Sequence, residues 1–327
     1  MAGGEELAQA LWYVGPGQAE IRPERLSPLA DGQVRVRSRY SAISRGTEAL
    51  IAAGRVPESE YQRMRAPFMG GHFPFPVKYG YVTVGEVEAG PAALIGRNVF
   101  ALHPHQTKFD MAAEAVVPLP GDLPLQRAVL AANVETALNA TWDAAPGPSG
   151  RIAVVGVGVV GALVGFLCAQ IEGAEVTLID IDPAREALVR SLGLKFATPA
   201  AAPADCDFVF HSSASAEGLA TALNIAADEA TIVELSWYGA GTVAVPLGGA
   251  FHSRRLKLIS SQVGKVAPSR RGTFTHRQRL EAAIKLCTHP QLDALLAPAI
   301  AFGELPARLA DILKPRSGVL CQLISYS

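Results

Sequence analysis

The first part of the chain has the short, punctuated hydrophobic pattern of an antiparallel β domain. Apolar and polar residues alternate in QVRVRSRYSAI (33–43), VKYGYVTVGEVEAG (77–90), NVFALHPH (98–105) and EAVVPLP (114–120), and glycine and proline separate these segments. A period of two turns one face of a strand toward a core. We therefore predict a mostly antiparallel β domain over residues 1–120.

The pattern changes after residue 150. Short apolar runs then alternate with helical stretches, and these runs are RIAVVG (151–156), EVTLID (175–180), DFVFHS (207–212), TIVELS (231–236) and LKLISS (256–261). Such alternation is typical of βα units around a parallel sheet. We predict an α/β domain over 121–264, and a segment over 265–327 whose last strand, LCQLISY (320–326), returns to the first domain.

Length, composition and charge restrict the class of protein. The chain has 327 residues, of which 49% are hydrophobic and 18% charged, with a net charge of −1. This length exceeds one ordinary core, so two domains are expected. Near-neutral charge gives no long-range attraction to nucleic acid or to an anionic membrane. We therefore expect a small-molecule substrate, no nucleic acid and no membrane.

The cysteines and the N-terminus point to a reduced compartment. The cysteines lie far apart, without CxxC spacing, at Cys168, Cys206, Cys287 and Cys321. This spacing argues against a zinc knuckle or a disulfide framework. The opening MAGGEELAQALWYV carries two glutamates and no basic region, so it does not read as a signal peptide. We predict a cytoplasmic protein.

A glycine motif opens the α/β domain. Gly156, Gly158 and Gly161 form GxGxxG directly after the strand RIAVV. The first glycine allows a tight turn, the second lets backbone approach a pyrophosphate, and the third lets helix and strand pack closely. Val159 and Val160 begin the helix, whose N–H groups would face the phosphates. We predict a dinucleotide site here; a glycine-rich turn in another α/β fold is the alternative.

An acidic residue in the next strand indicates which dinucleotide binds. EVTLID ends in Asp180, nineteen residues after Gly161. A carboxylate at this position bonds the 2′-hydroxyl of the adenosine ribose and repels a 2′-phosphate. We therefore predict NAD(H) rather than NADP(H). Arg185 either reaches the adenosine side or is a solvated helix charge.

The chain resembles the medium-chain dehydrogenase/reductase family over nearly its whole length. The resemblance lies in the order of the domains, the glycine motif and the returning strand. The resemblance implies an α/β fold with a GroES-like catalytic domain and a Rossmann domain built on a parallel sheet. In zinc-dependent members a strand carries Gly-His-Glu, and this sequence has Gly80-Tyr81-Val82 instead. A cysteine is the first metal ligand in that family, and here the matching residue is Ser44 or Arg45.

The remaining zinc positions of the family also lack thiolate. Its third ligand matches Ala132 or Asn133 in LAANVETALNA, and its four-cysteine structural lobe has no counterpart. Zinc takes thiolate, imidazole or carboxylate ligands, so the chain resembles a zinc-free branch without a metal site. SRGTE (44–48) and FPVKYGY (75–81) are loosely similar to bacteriochlorophyllide hydroxyethyl dehydrogenases, which implies secondary alcohol or ketone chemistry.

Three side chains are candidates for the proton chemistry. Tyr81 stands where a metal ligand would stand, so its hydroxyl would polarise a substrate carbonyl; alternatively it is a packed strand tyrosine bonded to backbone. His103 and His105 would share a strand face, and His105 would shuttle the proton. They are alternatively two metal ligands, with Glu135 or Glu48 as a third, or histidines at a cleft rim. Glu135, buried among alanines, would be a general acid, or else a surface charge.

The resemblance and the strand ends supply further cofactor candidates. By resemblance, Arg45 would reach the pyrophosphate and Thr136 would lie near the nicotinamide. By the same resemblance, Ser212 and Ser213 would lie beside the adenine. Ser236 and Trp237 follow a parallel strand, where open α/β sheets bind ligands; Trp237 is either a pocket wall or a core aromatic. Family analogy also implies a possible homodimer.

Together these features predict a zinc-independent oxidoreductase. It would transfer a hydride between NAD(H) and a secondary alcohol or ketone, while the protein orients the cofactor and supplies the proton. Two alternatives remain open at this point. One is an NAD(P)H-dependent quinone or enone C=C reductase, and the other is a non-catalytic NAD-binding sensor or scaffold.

Overall fold

A computed structural model describes residues 6–315 and 317–327. The strands in this part of the chain are β1 (Glu6–Gly15), β2 (Gln18–Leu26), β3 (Gln33–Ile43), β4 (Gly70–Gly71), β5 (Val77–Lys78), β6 (Thr83–Ala89), β7 (Asn98–Ala101), β8 (Lys108–Ala112), β9 (Val117–Pro118), β10 (Arg151–Val155), β11 (Glu175–Ile179), β12 (Lys195–Ala197), β13 (Cys206–His211), β14 (Ala226–Glu234), β15 (Lys257–Ser260), β16 (Leu296–Ala301) and β17 (Cys321–Ser325). The α-helices are α1 (Arg45–Ala52), α2 (Leu125–Ala128), α3 (Ala131–Ala144), α4 (Val159–Cys168), α5 (Arg185–Ser191), α6 (Ala216–Ile225), α7 (His276–Leu286) and α8 (Leu305–Leu313).

The chain divides into two compact units. Unit 1 comprises Met1–Ala132 and Leu296–Ser327, and unit 2 comprises Asn133–Leu295. The sequence places these divisions at 120 and 264. Unit 2 extends to Leu295 because α7 belongs to it: Arg279 of that helix bonds Glu135 of α3.

Unit 1 contains two sheets, whose neighbouring strands are antiparallel except for β16 and β17. One sheet has the order β2-β1-β5-β4, and the other has the order β16-β17-β3-β6-β7-β9, with β8 also paired to β3. The C-terminal strand β17 runs antiparallel to β3, with Gln322 opposite Ile43 and Ser325 opposite Tyr40. The last strand therefore completes the sheet that the first part of the chain begins.

Glycine divides the stretch that the sequence predicts as one strand over 77–90. β5 ends at Lys78 and β6 begins at Thr83, so Tyr79 and Tyr81 lie in the connection. Gly80 has a φ of +121°, which side chains rarely adopt. A Cβ there would lie 2.9 Å from Cδ2 of His105. The chain turns at Gly80, and the absence of a side chain there leaves room for the His105 ring.

Unit 2 is built on one parallel sheet, as predicted. Its order is β12-β11-β10-β13-β14-β15, and every neighbouring pair is parallel. In register, Val155 of β10 is opposite Ile179 and His211, and His211 is opposite Glu234. The carboxyl ends of β10, β11, β13 and β14 therefore meet at one edge, where open α/β sheets bind ligands.

Apolar burial fixes the helices on this sheet. Val209 and Ile232 on adjacent strands are fully buried and share a core cluster with Leu219 and Leu223 of α6. Each such side chain contributes about 1.5–3 kcal/mol when it leaves water. The strands read as continuous apolar runs because helices cover both faces of a parallel sheet. Within the described residues, no helix combines the length and the apolar character that crossing a bilayer requires.

Candidate functional site

Glycine is required at two points of the turn between β10 and α4. Gly156 has a φ of +104°, and a Cβ there would lie 2.7 Å from the backbone nitrogen of Ser213. A Cβ on Gly161 would lie 2.0 Å from the carbonyl oxygen of Gly156. The chain can therefore make this tight turn and pack α4 against it only without side chains at these positions.

Gly158 is a glycine for a different reason. It is the N-cap of α4, it is exposed, and a Cβ there would meet nothing within 4 Å. No contact within the protein requires glycine at this position, whereas close approach of a ligand would. The helix that begins at Val159, with Val160 next, presents free N–H groups and the positive end of its dipole. These residues fit a dinucleotide pyrophosphate.

Asp180 is fixed beside this turn. Its Oδ2 accepts the N–H of Val157 at 2.7 Å, and its Oδ1 accepts the N–H of Asp182 at 2.9 Å. A carboxylate oxygen accepts more than one hydrogen bond, so both oxygens retain capacity for a ribose hydroxyl. The carboxylate that spacing identified thus lies next to the glycine turn.

Arg185 begins α5 on the same side of the sheet. Its Nε lies 3.8 Å from Oδ2 of Asp182, and its side chain is only 16% exposed. The structure therefore does not support the alternative in which Arg185 is a solvated charge on the helix. Its contact with adenosine stays a prediction.

The predicted residues at the ends of β13 and β14 also lie near the turn. Ser212 Oγ donates to the carbonyl of Gly156 at 2.9 Å, so it closes the turn from the next strand. Ser213 Oγ lies 2.6 Å from Nε2 of His211. Ser236 Oγ accepts the N–H of Ala214 at 3.1 Å. Trp237 is half-buried.

A second candidate group lies in unit 1 around Tyr81. The Tyr81 hydroxyl donates to Ser44 Oγ at 2.5 Å and lies 3.3 Å from Thr47 Oγ1. Burial raises the pKa of Tyr81, so its hydroxyl keeps its proton at neutral pH. The Tyr79 ring meets the Tyr81 ring edge to face at 6.2 Å. The side-chain hydroxyls of Ser44 and Thr47, rather than backbone groups, hold Tyr81.

His105 is buried, and both ring nitrogens have partners within unit 1. Nδ1 lies 2.8 Å from Ser41 Oγ, and Nε2 lies 3.1 Å from Oε2 of Glu48. The same carboxylate oxygen accepts the hydroxyl of Tyr13 at 2.6 Å. Both ring nitrogens of His105 thus have partners within unit 1, and its part in moving a proton to or from a substrate stays a prediction.

His105 also acts on the loop that holds Tyr81. Glu48 accepts the backbone N–H of Ser44 at 2.8 Å through its other oxygen, Oε1. His105, Glu48 and Ser44 thus form a continuous buried connection to the hydroxyl that Tyr81 contacts. Glu48 therefore has a structural role, because it accepts a hydrogen bond from the backbone of the loop.

Sequence reasoning missed the remaining members of this buried group. Ser41 Oγ lies 2.8 Å from the Tyr326 hydroxyl, and Tyr13 bonds Glu48. Thr47 completes the contacts of Tyr81. These residues come from β1, β3, α1 and the chain end, so no local pattern could have grouped them.

His103 does not share the surroundings of His105. β7 ends at Ala101, so the same-face argument, which requires a strand, does not apply here. The His103 ring stacks on Phe109 with centroids 3.7 Å apart. Burial lowers its pKa to about 3, so the ring is neutral at physiological pH. The two histidines therefore do not form a ligand pair.

The donor set at the family's metal positions does not fit zinc. Ser44 and Tyr81 present hydroxyl groups where thiolate and imidazole would be required. In the part of the chain that the structure describes, no three His, Cys, Asp or Glu side chains are grouped so as to hold a metal ion.

Arg45 has a structural role within unit 1. Its guanidinium donates to the carbonyls of Ile312 at 2.8 Å, Val319 at 2.5 Å and Lys314 at 2.9 Å. These bonds join α1 to the C-terminal segment of unit 1, and the contact of Arg45 with a pyrophosphate stays a prediction.

Glu135 is likewise part of an ion pair in unit 2. Its Oε1 accepts Nε of Arg279 at 3.0 Å, and Arg279 also donates to Asn139 at 2.5 Å. Burial raises the pKa of Glu135, and the guanidinium opposes this shift. Glu135 thus holds α7 through Arg279, and its role as a general acid stays a prediction. Thr136, the next residue of α3, is half-buried.

Comparisons with known proteins identify the fold but no close relative. No family model matches the sequence, and no curated protein matches it. Among solved structures, L-idonate 5-dehydrogenase from Escherichia coli K-12 has a TM-score of 0.80 at 14% identity, over 98% of this chain and 99% of that one.

The names of two further solved structures mention a nicotinamide cofactor. A short-chain alcohol dehydrogenase from Escherichia coli CFT073 in complex with NADH has a TM-score of 0.77 at 14% identity, over 98% of this chain and 99% of that one. A provisionally named NADPH:quinone reductase from Bacillus thuringiensis has a TM-score of 0.76 at 14% identity, over the same shares. The predicted fold class is confirmed: the chain has the α/β fold of medium-chain dehydrogenases, with GroES-like and Rossmann domains.

Proposed function

We propose that this protein is an NAD(H)-dependent oxidoreductase that transfers a hydride between the cofactor and a secondary alcohol or ketone, without zinc. The observation that carries the proposal is the turn before α4, where Gly158 leaves open space at the helix N-terminus and Asp180 is held by Val157. This turn suits a pyrophosphate, and the carboxylate beside it suits a ribose.

Asp180 supports NAD(H) over NADP(H). Its charge would repel a 2′-phosphate, and its oxygens would accept a ribose hydroxyl. The fold itself supports neither choice, since one protein of the same fold is named for NADH and another for NADPH. The preference for NAD(H) therefore depends on the carboxylate of Asp180.

Tyr81 is the proposed proton donor. A bound nicotinamide supplies or accepts the hydride. When substrate binds, the Tyr81 hydroxyl, protonated at neutral pH, turns its single hydrogen from Ser44 Oγ to the substrate oxygen and transfers that proton as the carbonyl is reduced. Ser44 and Thr47 orient this hydroxyl, while His105 and Glu48 position Ser44 from beneath.

The absence of zinc in the proposal rests on the chemistry of the donors. Hydroxyl groups of Ser44 and Tyr81 are poor substitutes for thiolate and imidazole. The Tyr81 proton takes the part that a Lewis acid would take at the substrate oxygen. The proposed reaction therefore needs only a small-molecule substrate and the nicotinamide.

A second candidate is reduction of a quinone or an enone C=C bond, which the fold likeness to the quinone reductase favours. Products distinguish the two. Incubation with 4-deuterated NADH and panels of ketones, quinones and enones should place deuterium on a carbinol carbon. Deuterium at a former alkene carbon, or reduction of quinones alone, would replace the proposal by this candidate. A protein that binds NADH and turns over no member of any panel would be a sensor.

A further inference from the structure

A serine, a histidine and a glutamate are hydrogen-bonded in series at the carboxyl ends of β13 and β14. His211 ends β13 and is opposite Glu234, which ends β14. Nδ1 of His211 lies 2.7 Å from Oε2 of Glu234, and Nε2 lies 2.6 Å from Oγ of Ser213. His211 is fully buried, whereas Ser213 is exposed.

The partners fix the proton positions. An ionised carboxylate only accepts, so Nδ1 carries the hydrogen, and Nε2 then accepts the hydroxyl hydrogen of Ser213. Glu234 also accepts the Tyr238 hydroxyl at 3.0 Å and the N–H of Ser236 at 2.7 Å. Burial opposes ionisation of Glu234, but its hydrogen bonds, that to His211 foremost, hold its pKa below the ordinary value.

The N-terminus of α6 adds positive potential next to the serine oxygen. Ser215 is the N-cap of this ten-residue helix, and its Oγ lies 3.0 Å from that of Ser213. A Cβ on Gly218, in the first turn, would lie only 2.1 Å from Ser213 Oγ. The helix end thus packs directly on this oxygen, and its dipole favours negative charge that develops nearby.

We propose that Ser213 is a nucleophilic serine that accepts acyl groups from activated esters. Its Oγ attacks the ester carbonyl carbon while Nε2 of His211 takes the hydroxyl proton and Glu234 stabilises the resulting imidazolium. The ester C–O bond then breaks, and His211 returns the proton to the departing alcohol. Water, activated by the same His211, releases the acid and restores Ser213.

This activity uses no nicotinamide and is independent of the proposed oxidoreductase function. The two share a location and one residue, because Ser213 is also a predicted neighbour of the adenine and its backbone packs on Gly156 of the glycine turn. An exposed hydroxyl bonded to a buried, carboxylate-held imidazole is the arrangement that activates a serine. Neither a dehydrogenase reaction nor the packing of α6 requires this combination.

A fluorophosphonate probe tests the proposal on the full chain. The Ser213 oxygen would displace fluoride from phosphorus and form a stable phosphonate ester, which peptide mass spectrometry locates. We expect stoichiometric labelling of Ser213, none in Ser213→Ala, and a labelling rate lower by roughly 100-fold in His211→Gln. Ser253→Ala, which removes another exposed serine hydroxyl, should label like the parent protein.

Ser213→Ala changes an exposed residue, so this variant should fold, and circular dichroism and thermal melting check each protein. If buried His211→Gln does not fold, Glu234→Gln replaces it, with a labelling rate lower by roughly tenfold or more. The proposal would be overturned if the folded parent is not labelled or if its label maps to another residue. It would also be overturned if Ser213→Ala is labelled as fast as the parent. Equal rates for the parent and a folded His211→Gln would do the same.

Discussion

The Tyr81 hydroxyl donates to Ser44 Oγ at a distance of 2.5 Å. The resemblance places metal ligands at Tyr81 and at Ser44 or Arg45, and Tyr81 and Ser44 present hydroxyl groups there. Beneath them, Glu48 and His105 hold the loop from a fully buried position. We therefore propose Tyr81 as the group that donates the proton when the carbonyl is reduced.

Replacing Tyr81 with phenylalanine tests this role. We expect kcat on a verified ketone to fall by about 100-fold or more, because general acid catalysis contributes that much. NADH affinity should stay within about twofold, because Tyr81 is not among the residues proposed to bind the dinucleotide. Steady-state kinetics and NADH titration measure the two effects separately.

Tyr40→Phe is the matched control. Its hydroxyl accepts only an exposed bond from Gln126 among the bonds described for it, so its removal should leave kcat unchanged. A Tyr81→Phe protein with parental kcat would remove Tyr81 from the mechanism. Equal losses in both variants would indicate a general effect on unit 1.

His103 makes stability depend on pH in the acid range. Burial lowers its pKa to about 3, below its ordinary value of 6.5. Between these values the unfolded chain binds the proton and the folded chain does not, so the free energy of unfolding falls as pH falls from 6.5 toward 3. The slope that His103 adds approaches about 1.4 kcal/mol per pH unit.

Urea unfolding from pH 7 to pH 4 measures this slope. His103→Gln should be less stable than the parent protein at pH 7 and lose less stability on acidification. His252→Gln, which changes an exposed histidine, should follow the parent curve at every pH. Parallel curves for the parent and His103→Gln would show that His103 contributes nothing to the acid response.

Asp180→Asn tests the choice of cofactor. Asparagine removes the charge and keeps an acceptor for the N–H of Val157, but it loses the acceptor for the N–H of Asp182, so a thermal melt checks the fold of this variant. We expect the ratio of NADPH affinity to NADH affinity to rise by roughly tenfold or more, because the repulsion of a 2′-phosphate disappears. Isothermal titration with both cofactors gives the ratio.

Asp228→Asn removes an exposed carboxylate elsewhere in unit 2 and should leave that ratio unchanged. If Asp180→Asn leaves it unchanged too, the carboxylate does not select between the dinucleotides, and the NAD(H) assignment fails.

Local patterns predicted the parallel sheet, the glycine turn and Asp180. Each depends on residues close together in sequence, and strand, turn and helix follow from periodicity and from the steric needs of glycine. Gly161 shows this directly, since its tightest contact is with the carbonyl of Gly156 within the same turn.

The contacts that the sequence did not predict involve residues distant along the chain. Arg45 bonds carbonyls of the chain end, including Ile312, and Glu135 pairs with Arg279. The turn at Gly80 likewise depends on the ring of His105. A single sequence gives a charged residue its chemistry but not its neighbour, so the carbonyl partners of Arg45 and the arginine partner of Glu135 were not predicted.

Dinucleotide binding at the glycine turn is the central proposal. Gly158→Ala adds a Cβ that meets no protein atom, so it should reduce stability by no more than about 1 kcal/mol. The same Cβ would obstruct the approach of a pyrophosphate to the backbone. Gly161→Ala, by contrast, should destabilise unit 2 by about 1–3 kcal/mol, because its Cβ overlaps the carbonyl of Gly156.

Isothermal titration of NADH into the parent protein and into Gly158→Ala, alongside their thermal melts, is the most direct test. We expect the parent to bind one NADH per chain, and Gly158→Ala to melt almost normally and bind NADH with an affinity lower by at least about tenfold. Failure of the folded parent to bind either NADH or NADPH would contradict the proposal. So would equal NADH affinity in the two proteins.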